Sequence, residues 1–462
     1  SSTPRTPTPT PSTSAASDGG SDDVTIKAVN STLVGATGIN AKNTGKDTLD
    51  EVLITLTGTT TVEGTNGDGV HGEAINSLLN LDTINTIKSA NGDAVDLSTS
   101  GSGDIKINGT GILSVTAGNG DGINAHAAGS GGITIGDAGA GYPSAITVAG
   151  GNGIKAVADG AGAITVKTAV GGTINGDANN GIFAQNNASF LSGDININAA
   201  GQIGTSLNGV NGSGIFAEIT SPDGPNNANI NITSSADIYV ETKGATQYGI
   251  AAISAGAGNG TIIATSGKTI DPADYGEFVK VGGEASITTN NEVTGDITGL
   301  YAETTGVTKN ATVLVTGKTG KGIEGTSTDG IYVAAVQGLA SAGTDDANRV
   351  TADVKGGVNG IEVWSAGDAQ AWTGAVKVTG GTGTGITVTS DASGPDGDAD
   401  TALVDIEGTT VSGATGIKAI STGLDSTDTA TVRMGGTILV TGTNGNGIFV
   451  ETAGGEGRVE AV

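Results

Sequence analysis

The chain has no cysteine among its 462 residues, which excludes disulfides, thiolate metal sites and cysteine nucleophiles. It has one methionine, two tryptophans, five phenylalanines and six tyrosines, too few to fill a broad globular interior. Basic residues are also scarce. Twenty Lys and Arg stand against 47 Asp and Glu, a formal net charge of −27. That balance argues against nucleic acid as a partner, because phosphate binding needs a basic footprint. It also opposes adhesion to anionic lipid by charge alone. No run of about 18 apolar residues occurs, so no segment reads as a membrane-spanning helix. Helical periodicity is nearly absent, and only 76–88 reads faintly as a helix. No His-Glu-x-x-His, nucleophile elbow or phosphate-loop context is present.

What the chain does have is glycine, 82 residues of it, set among small apolar residues. The apolar share is 36% and the mean hydropathy is +0.01, so the composition is not that of a disordered chain. Isoleucine, valine and alanine dominate that share, which suits a thin core of β-branched side chains. The acidic excess reads as a solvated surface that keeps a long β-structure in solution.

A short phrase recurs from end to end: small polar residue, Gly, apolar, variable, apolar. It reads Thr37-Gly38-Ile39-Asn40-Ala41 near the start and Asn446-Gly447-Ile448-Phe449-Val450 near the end. Between them the glycine recurs at Gly69, Gly122, Gly153, Gly181, Gly214, Gly249, Gly276, Gly299, Gly330, Gly360, Gly385 and Gly416, with Ala94 filling one further slot. These fifteen copies are spaced about 29 residues apart, the signature of a stacked repeat array.

Each period carries three short alternating runs. After Gly122 they are Ile123-Asn124-Ala125, Ile133-Thr134-Ile135 and Ile146-Thr147-Val148. Such runs bounded by Gly, Asn, Asp and Thr are short strands with one buried face. Three strands and three turns close one coil, and stacked coils make three parallel sheets around a narrow apolar interior. The expected fold is therefore all-β: a right-handed parallel β-helix of about fifteen coils of about 29 residues, three strands per coil. A strict hexapeptide rhythm, the mark of a left-handed β-helix, is missing, and leucine is too rare for a leucine-rich repeat. The phrase glycine is expected at sharp corners that need positive φ. Asn, Asp, Ser or Thr precedes it in thirteen of the fifteen copies, where these side chains can bond nearby backbone and stack as ladders. The copy at Gly276 is irregular, with Glu277 in the inward apolar slot. Either the register shifts there or that coil lies elsewhere.

Residues 1–22 form a separate segment holding four of the nine prolines, interleaved with Ser and Thr. It reads as a flexible linker, with the β-helix rod spanning 23–462. The first residues, Ser1-Ser2-Thr3-Pro4, read as the start of a processed or excised chain.

The phrase in Gly151-Asn152-Gly153-Ile154-Lys155-Ala156, and in Asn180-Gly181-Ile182-Phe183-Ala184, resembles the passenger repeats of Gram-negative autotransporters. The resemblance covers 23–462 and extends to the cysteine-free, acidic, Gly/Asn/Thr-rich composition. It implies secretion through an outer-membrane barrel and display at the bacterial cell surface as an extracellular rod. The chain departs from that pattern in carrying no alternating ten-residue membrane strands at its C-terminal end. On this resemblance it is a fragment or a released passenger.

Three functional expectations follow. The first is a non-enzymatic structural or adhesive rod that meets a host or cell-surface glycan or protein. The second is a filament subunit that self-associates end to end through unpaired coil edges. The third is a polysaccharide-degrading enzyme on the same scaffold, for which no convincing set of carboxylates aligns.

Candidate residues follow from the alternation. Phe183 and Phe216 fill the variable slot in neighbouring copies, and Tyr301 and Tyr332 do so in two later ones. That slot faces outward if Ile and Ala face in, so the rings would form surface ladders, either stabilising the sheet or binding a partner. Trp364 and Trp372, in one coil beside Glu362, would cap a loop or form a patch. Asp396, Asp398, Asp400 and Glu407 echo an EF-hand spacing and make Ca2+ the candidate ion, against the reading of a plain acidic turn. No other cofactor is implied. His71 and His126 are expected as isolated surface imidazoles about 10 Å apart along the rod.

Overall fold

Residue choice within each short strand sets the architecture. In Ile123–Ala127 the sequence Ile-Asn-Ala-His-Ala places Ile123, Ala125 and Ala127 inward and Asn124 and His126 outward. Repeating that alternation three times per turn produces a parallel β-solenoid. The computed structural model describes residues 23–462 apart from 47, 84, 109–113, 137–144, 177–178, 190, 222–226, 242–245, 266–267, 318–321 and 393–398. The Ser/Thr/Pro segment 1–22 lies outside the described residues. No helix occurs among the described residues. The stretch with the faint helical reading is two strands, Leu78–Thr83 and Thr86–Ser89. The pull of the stack overrides a weak local pattern there.

The fifteen phrase copies bound about fourteen turns of roughly 29 residues, one fewer than the one turn per copy expected. At about 4.8 Å per turn the stack is about 70 Å long. Each strand pairs in parallel with the equivalent strand one turn on, so like residues lie above like. One inward column runs Ile123, Ile154, Ile182, Ile215, Ile250, Glu277, Leu300 and Ile331. Another runs Leu79, Ile105, Ile133, Ile164, Ile195 and Ile230. All of these residues, Glu277 included, are almost wholly excluded from water, and the apolar ones belong to one continuous core. Strands fuse where corners soften, as in Thr269–Val281 and Glu292–Thr304, each of 13 residues.

Glu277 answers the question the sequence left open. It keeps register with Ile250 and Leu300, and the irregularities lie upstream, between Ile270 and Tyr275. A carboxyl group therefore does occupy the dry interior.

Positive φ is not what the phrase glycine supplies, contrary to the expectation from corners. The glycines with positive φ are others, such as Gly171 and Gly201. The phrase glycine is required by close approach instead. A Cβ on Gly153 would stand 2.3 Å from Ile174 Cγ2 and 2.6 Å from the Gly181 carbonyl oxygen. The same clash recurs at Gly181 with Ile203 and at Gly214 with Ile238. The glycine thus lets one sheet pack against the β-branched column of another.

The polar residue before the glycine forms an outer ladder. Asp68 Oδ1 accepts the Asp93 N–H, Asp93 Oδ1 that of Asp121, Asp121 Oδ1 that of Asn152, and Asn152 Oδ1 that of Asn180. Each side chain satisfies the backbone of the next turn, which a corner would otherwise leave without a partner.

Candidate aromatic binding face

The phrase strands carry one outward column beside the inward isoleucines. In register it reads Asn40, His71, Asp96, Asn124, Lys155, Phe183, Phe216, Ala251, Phe278, Tyr301, Tyr332 and Glu362. Parallel pairing sets successive side chains about 4.8 Å apart, within the range of centroid separations that aromatic pairs adopt.

The expected pairs form. Phe183 and Phe216 stack with centroids 5.7 Å apart and planes 6° apart, and Tyr301 and Tyr332 stack at 4.9 Å and 17°. The structure joins the two pairs into one ladder of seven rings. Phe278 stacks on Tyr301 at 4.6 Å. Ala251 leaves a gap between Phe216 and Phe278, which Tyr248 fills from the slot before the phrase glycine, at 5.9 Å from Phe216 and 4.9 Å from Phe278. Tyr275 packs beside it, 5.6 Å from Tyr248 and 5.7 Å from Tyr301. Phe278 is buried by its neighbours, and the other six rings are partly exposed.

Tyr248, Tyr275 and Phe278 were missed in the sequence, though each left a signal. Tyr248 and Tyr275 are the two residues that break the small-polar rule before the glycine. Phe278 occupies the variable slot of the copy that Glu277 made look out of register.

Carboxylates border the ladder. Glu303 accepts the Tyr301 hydroxyl and pairs with Lys280 at 2.9 Å. Glu218 accepts from Gln185 Nε2 at 2.7 Å. Burial, followed by the charge of Glu362, pushes the Tyr332 hydroxyl up to about 12. Burial, with the Glu303 carboxylate next, raises Tyr301 as well, and burial raises Tyr248 and Tyr275. The phenols therefore stay protonated and can donate hydrogen bonds.

The tryptophans part company. Trp364 is on the same face, in register with Ala334 and two positions past Glu362. Trp372 lies on the next strand, Ala369–Thr373. The Arg349 guanidinium lies over it, 5.3 Å from the ring centroid. Arg349 also donates to Asp405 Oδ1 at 2.8 Å, to Asp346 at 2.6 Å and to the Thr373 and Asp405 carbonyl oxygens. Trp372 thus anchors a loop, and the two rings do not form one patch.

Of the calcium candidates, Asp396 and Asp398 lie outside the described residues. Asp400 and Glu407 stand at opposite ends of the extended stretch formed by strand Thr401–Glu407 and the residue before it, about 20 Å apart. They do not meet on one ion, because an extended strand replaces the tight loop that the spacing required. Glu407 instead faces Arg349 Nε at 3.5 Å.

The histidines are not isolated, which corrects the expectation. His126 Nε2 is 2.7 Å from Asp159 Oδ2. His71 is surrounded by Asp68, Glu73 and Asp96. Its imidazole is pushed up to about 9, chiefly by the hydrogen bond to Asp96 and against the effect of burial.

Compared with known proteins, the chain matches no family model, no curated protein and no solved structure.

Proposed function

We propose that the chain is a non-enzymatic, surface-displayed rod, similar to an autotransporter passenger, whose aromatic ladder binds a host or cell-surface glycan. The observation that carries this reading is the seven-ring column, six of its rings partly exposed along one outward face of a strongly acidic chain. A contiguous apolar patch on a protein surface marks an interaction site. A pyranose ring has an apolar C–H face that packs on an aromatic ring, and hydroxyls that pair with carboxylates and phenols. Both chemistries lie along this column. A ladder spanning six turns, about 25 Å, matches an extended chain of several sugars rather than one.

Incubating the purified chain with acidic and neutral glycans tests the proposal. Saturable binding without release of shorter sugars supports it. Release of shorter products supports a polysaccharide-degrading enzyme instead, and no binding to any glycan sinks the reading.

A further inference from the structure

Four turns before the ladder, on the same outward column, His71 sits among groups held for a different purpose. It projects from the strand Val70–Ala74, with Asn40 and Asp96 as its register neighbours. His71 Nδ1 is 2.9 Å from Asp96 Oδ2 and 3.3 Å from Asp68 Oδ2. These three atoms lie within 4.8 Å of one another.

The surroundings fix each of them. Asp68 uses Oδ1 to accept the Asp93 N–H at 2.9 Å, which leaves Oδ2 for the imidazole. Asp96 uses Oδ1 to accept Asn124 Nδ2 at 3.1 Å, which leaves Oδ2 likewise. On the far side, His71 Nε2 meets Glu73 Oε1 at 3.1 Å, and Lys42 pairs with the other Glu73 oxygen. A histidine whose second nitrogen is held by a carboxylate is the usual outer arrangement of a metal-bound imidazole.

A proton on Nδ1 satisfies Asp96 Oδ2 at 2.9 Å and leaves Asp68 Oδ2, at 3.3 Å, as the longer contact. One N–H points along one line and so aligns best with one oxygen, while two carboxylate oxygens lie within 3.3 Å of the nitrogen. A divalent ion satisfies both. Around four-coordinate zinc, bonds of about 2.0–2.1 Å place ligand atoms about 3.3 Å apart, close to the spacing found here. Neighbouring turns handle the same slots differently. Asn40 and Asn124 stand in the His71 column, and Lys155 reaches Asp121 at 3.7 Å to supply a positive charge. Around His71 stand four carboxylates, Asp68, Glu73, Asp93 and Asp96, and among the described residues the cationic groups paired with them are Lys42 and the imidazole, with Asn124 and backbone N–H groups as further donors.

We propose that Asp68, His71 and Asp96 form a three-ligand site for a divalent transition metal, with Zn2+ the best fit and a fourth position open to solvent. Nitrogen with two carboxylate oxygens favours zinc over calcium, which prefers six to eight oxygens. On binding, the ion takes the Nδ1 lone pair and any proton there leaves to solvent.

Isothermal titration of the chelator-stripped chain with ZnCl2, beside CaCl2, tests this. The expected result is one Zn2+ per chain, no comparable Ca2+ binding, and the intense visible bands of tetrahedral cobalt when Co2+ replaces zinc. His71→Asn puts in that column a residue its neighbours already use, and Asp96→Asn keeps the bond from Asn124 in reach. Both should abolish binding while leaving the metal-free melting temperature within a few degrees of the parent. Glu73→Gln should weaken binding about 10- to 100-fold, as expected of a group that only orients a ligand. Absence of zinc binding, or zinc binding that survives His71→Asn, overturns the proposal. Glycan binding at the ladder is independent of either outcome.

Discussion

Glu277 Oε1 accepts a hydrogen bond from the Thr289 hydroxyl at 2.9 Å inside the solenoid, with no water-accessible surface on the acid. Its register neighbours are Ile250 and Leu300. Burial pushes this carboxyl up to about 8, only partly offset by the Thr289 bond. In the unfolded chain it titrates near 4.5, its ordinary value. Below that pH it is neutral in both states. Between the two values the folded chain holds a proton that the unfolded chain has lost, so stability falls as pH rises and levels off above about 8. Each unit of difference is worth about 1.4 kcal/mol. Glu277→Leu should therefore gain stability over the parent as pH rises from 5 to 9. Denaturant unfolding of both across that range checks it, and a pH-independent difference would place the carboxyl in contact with water.

The second prediction concerns the phrase glycine. Gly153→Ala drives a Cβ into Ile174 Cγ2 and the Gly181 carbonyl. Overpacking of this kind costs about 1–3 kcal/mol. Adding Ile174→Ala should recover little, because the backbone clash persists and a cavity opens. Melting temperatures of the single and double variants decide this. A neutral Gly153→Ala would mean that the sheets are not packed this closely.

Asn152 tests the outer ladder. Its Oδ1 accepts the Asn180 N–H at 3.2 Å, and its Nδ2 donates to Asp121 Oδ1 at 2.9 Å. Asn152→Ala loses these bonds and a third, accepted by Oδ1 from Asn180 Nδ2 at 2.9 Å, and should cost about 1–2 kcal/mol. Asn152→Asp keeps the acceptor but sets a second negative charge against Asp121. It should destabilise at neutral pH and recover in acid as the pair takes up a proton. Unfolding at both pH values measures this, and an Asp variant as stable as the parent at pH 7 contradicts it.

Much of this architecture was legible in the sequence, and the reasons are physical. A parallel stack places each residue on its own equivalent one turn later, so the column Ile154, Ile182, Ile215 is written directly in the spacing. The outward direction of Phe183 followed from alternation alone. Less legible was whatever depended on contacts between sheets. The glycine was read as a corner because the approach of Ile174 belongs to another strand of the coil. Tyr248 joined the ladder by reaching sideways from a different slot, which register counting does not show. His71 looked isolated because Asp96 is 25 residues away in sequence. Asp400 and Glu407 looked like a loop pair because a spacing of oxygens says nothing about whether the chain between them is extended.

Inward and outward slots should respond differently to substitution. Ile182→Asp buries a charge without a partner and should unfold its coil. Phe183→Ala with Phe216→Ala removes rings that are partly exposed and should cost about 1–2 kcal/mol, mostly lost stacking. Circular dichroism and thermal melts separate these. Equal damage from both would place the rings in the core.

That double variant also supplies the most direct test of the ladder as a binding face. Affinity for a glycan bound by the parent chain is measured by titration for the parent and for Phe183→Ala with Phe216→Ala, under conditions where both are folded. Affinity is expected to fall at least about tenfold in the double variant, a loss of about 1.4 kcal/mol. A folded double variant that binds the glycan as tightly as the parent contradicts it.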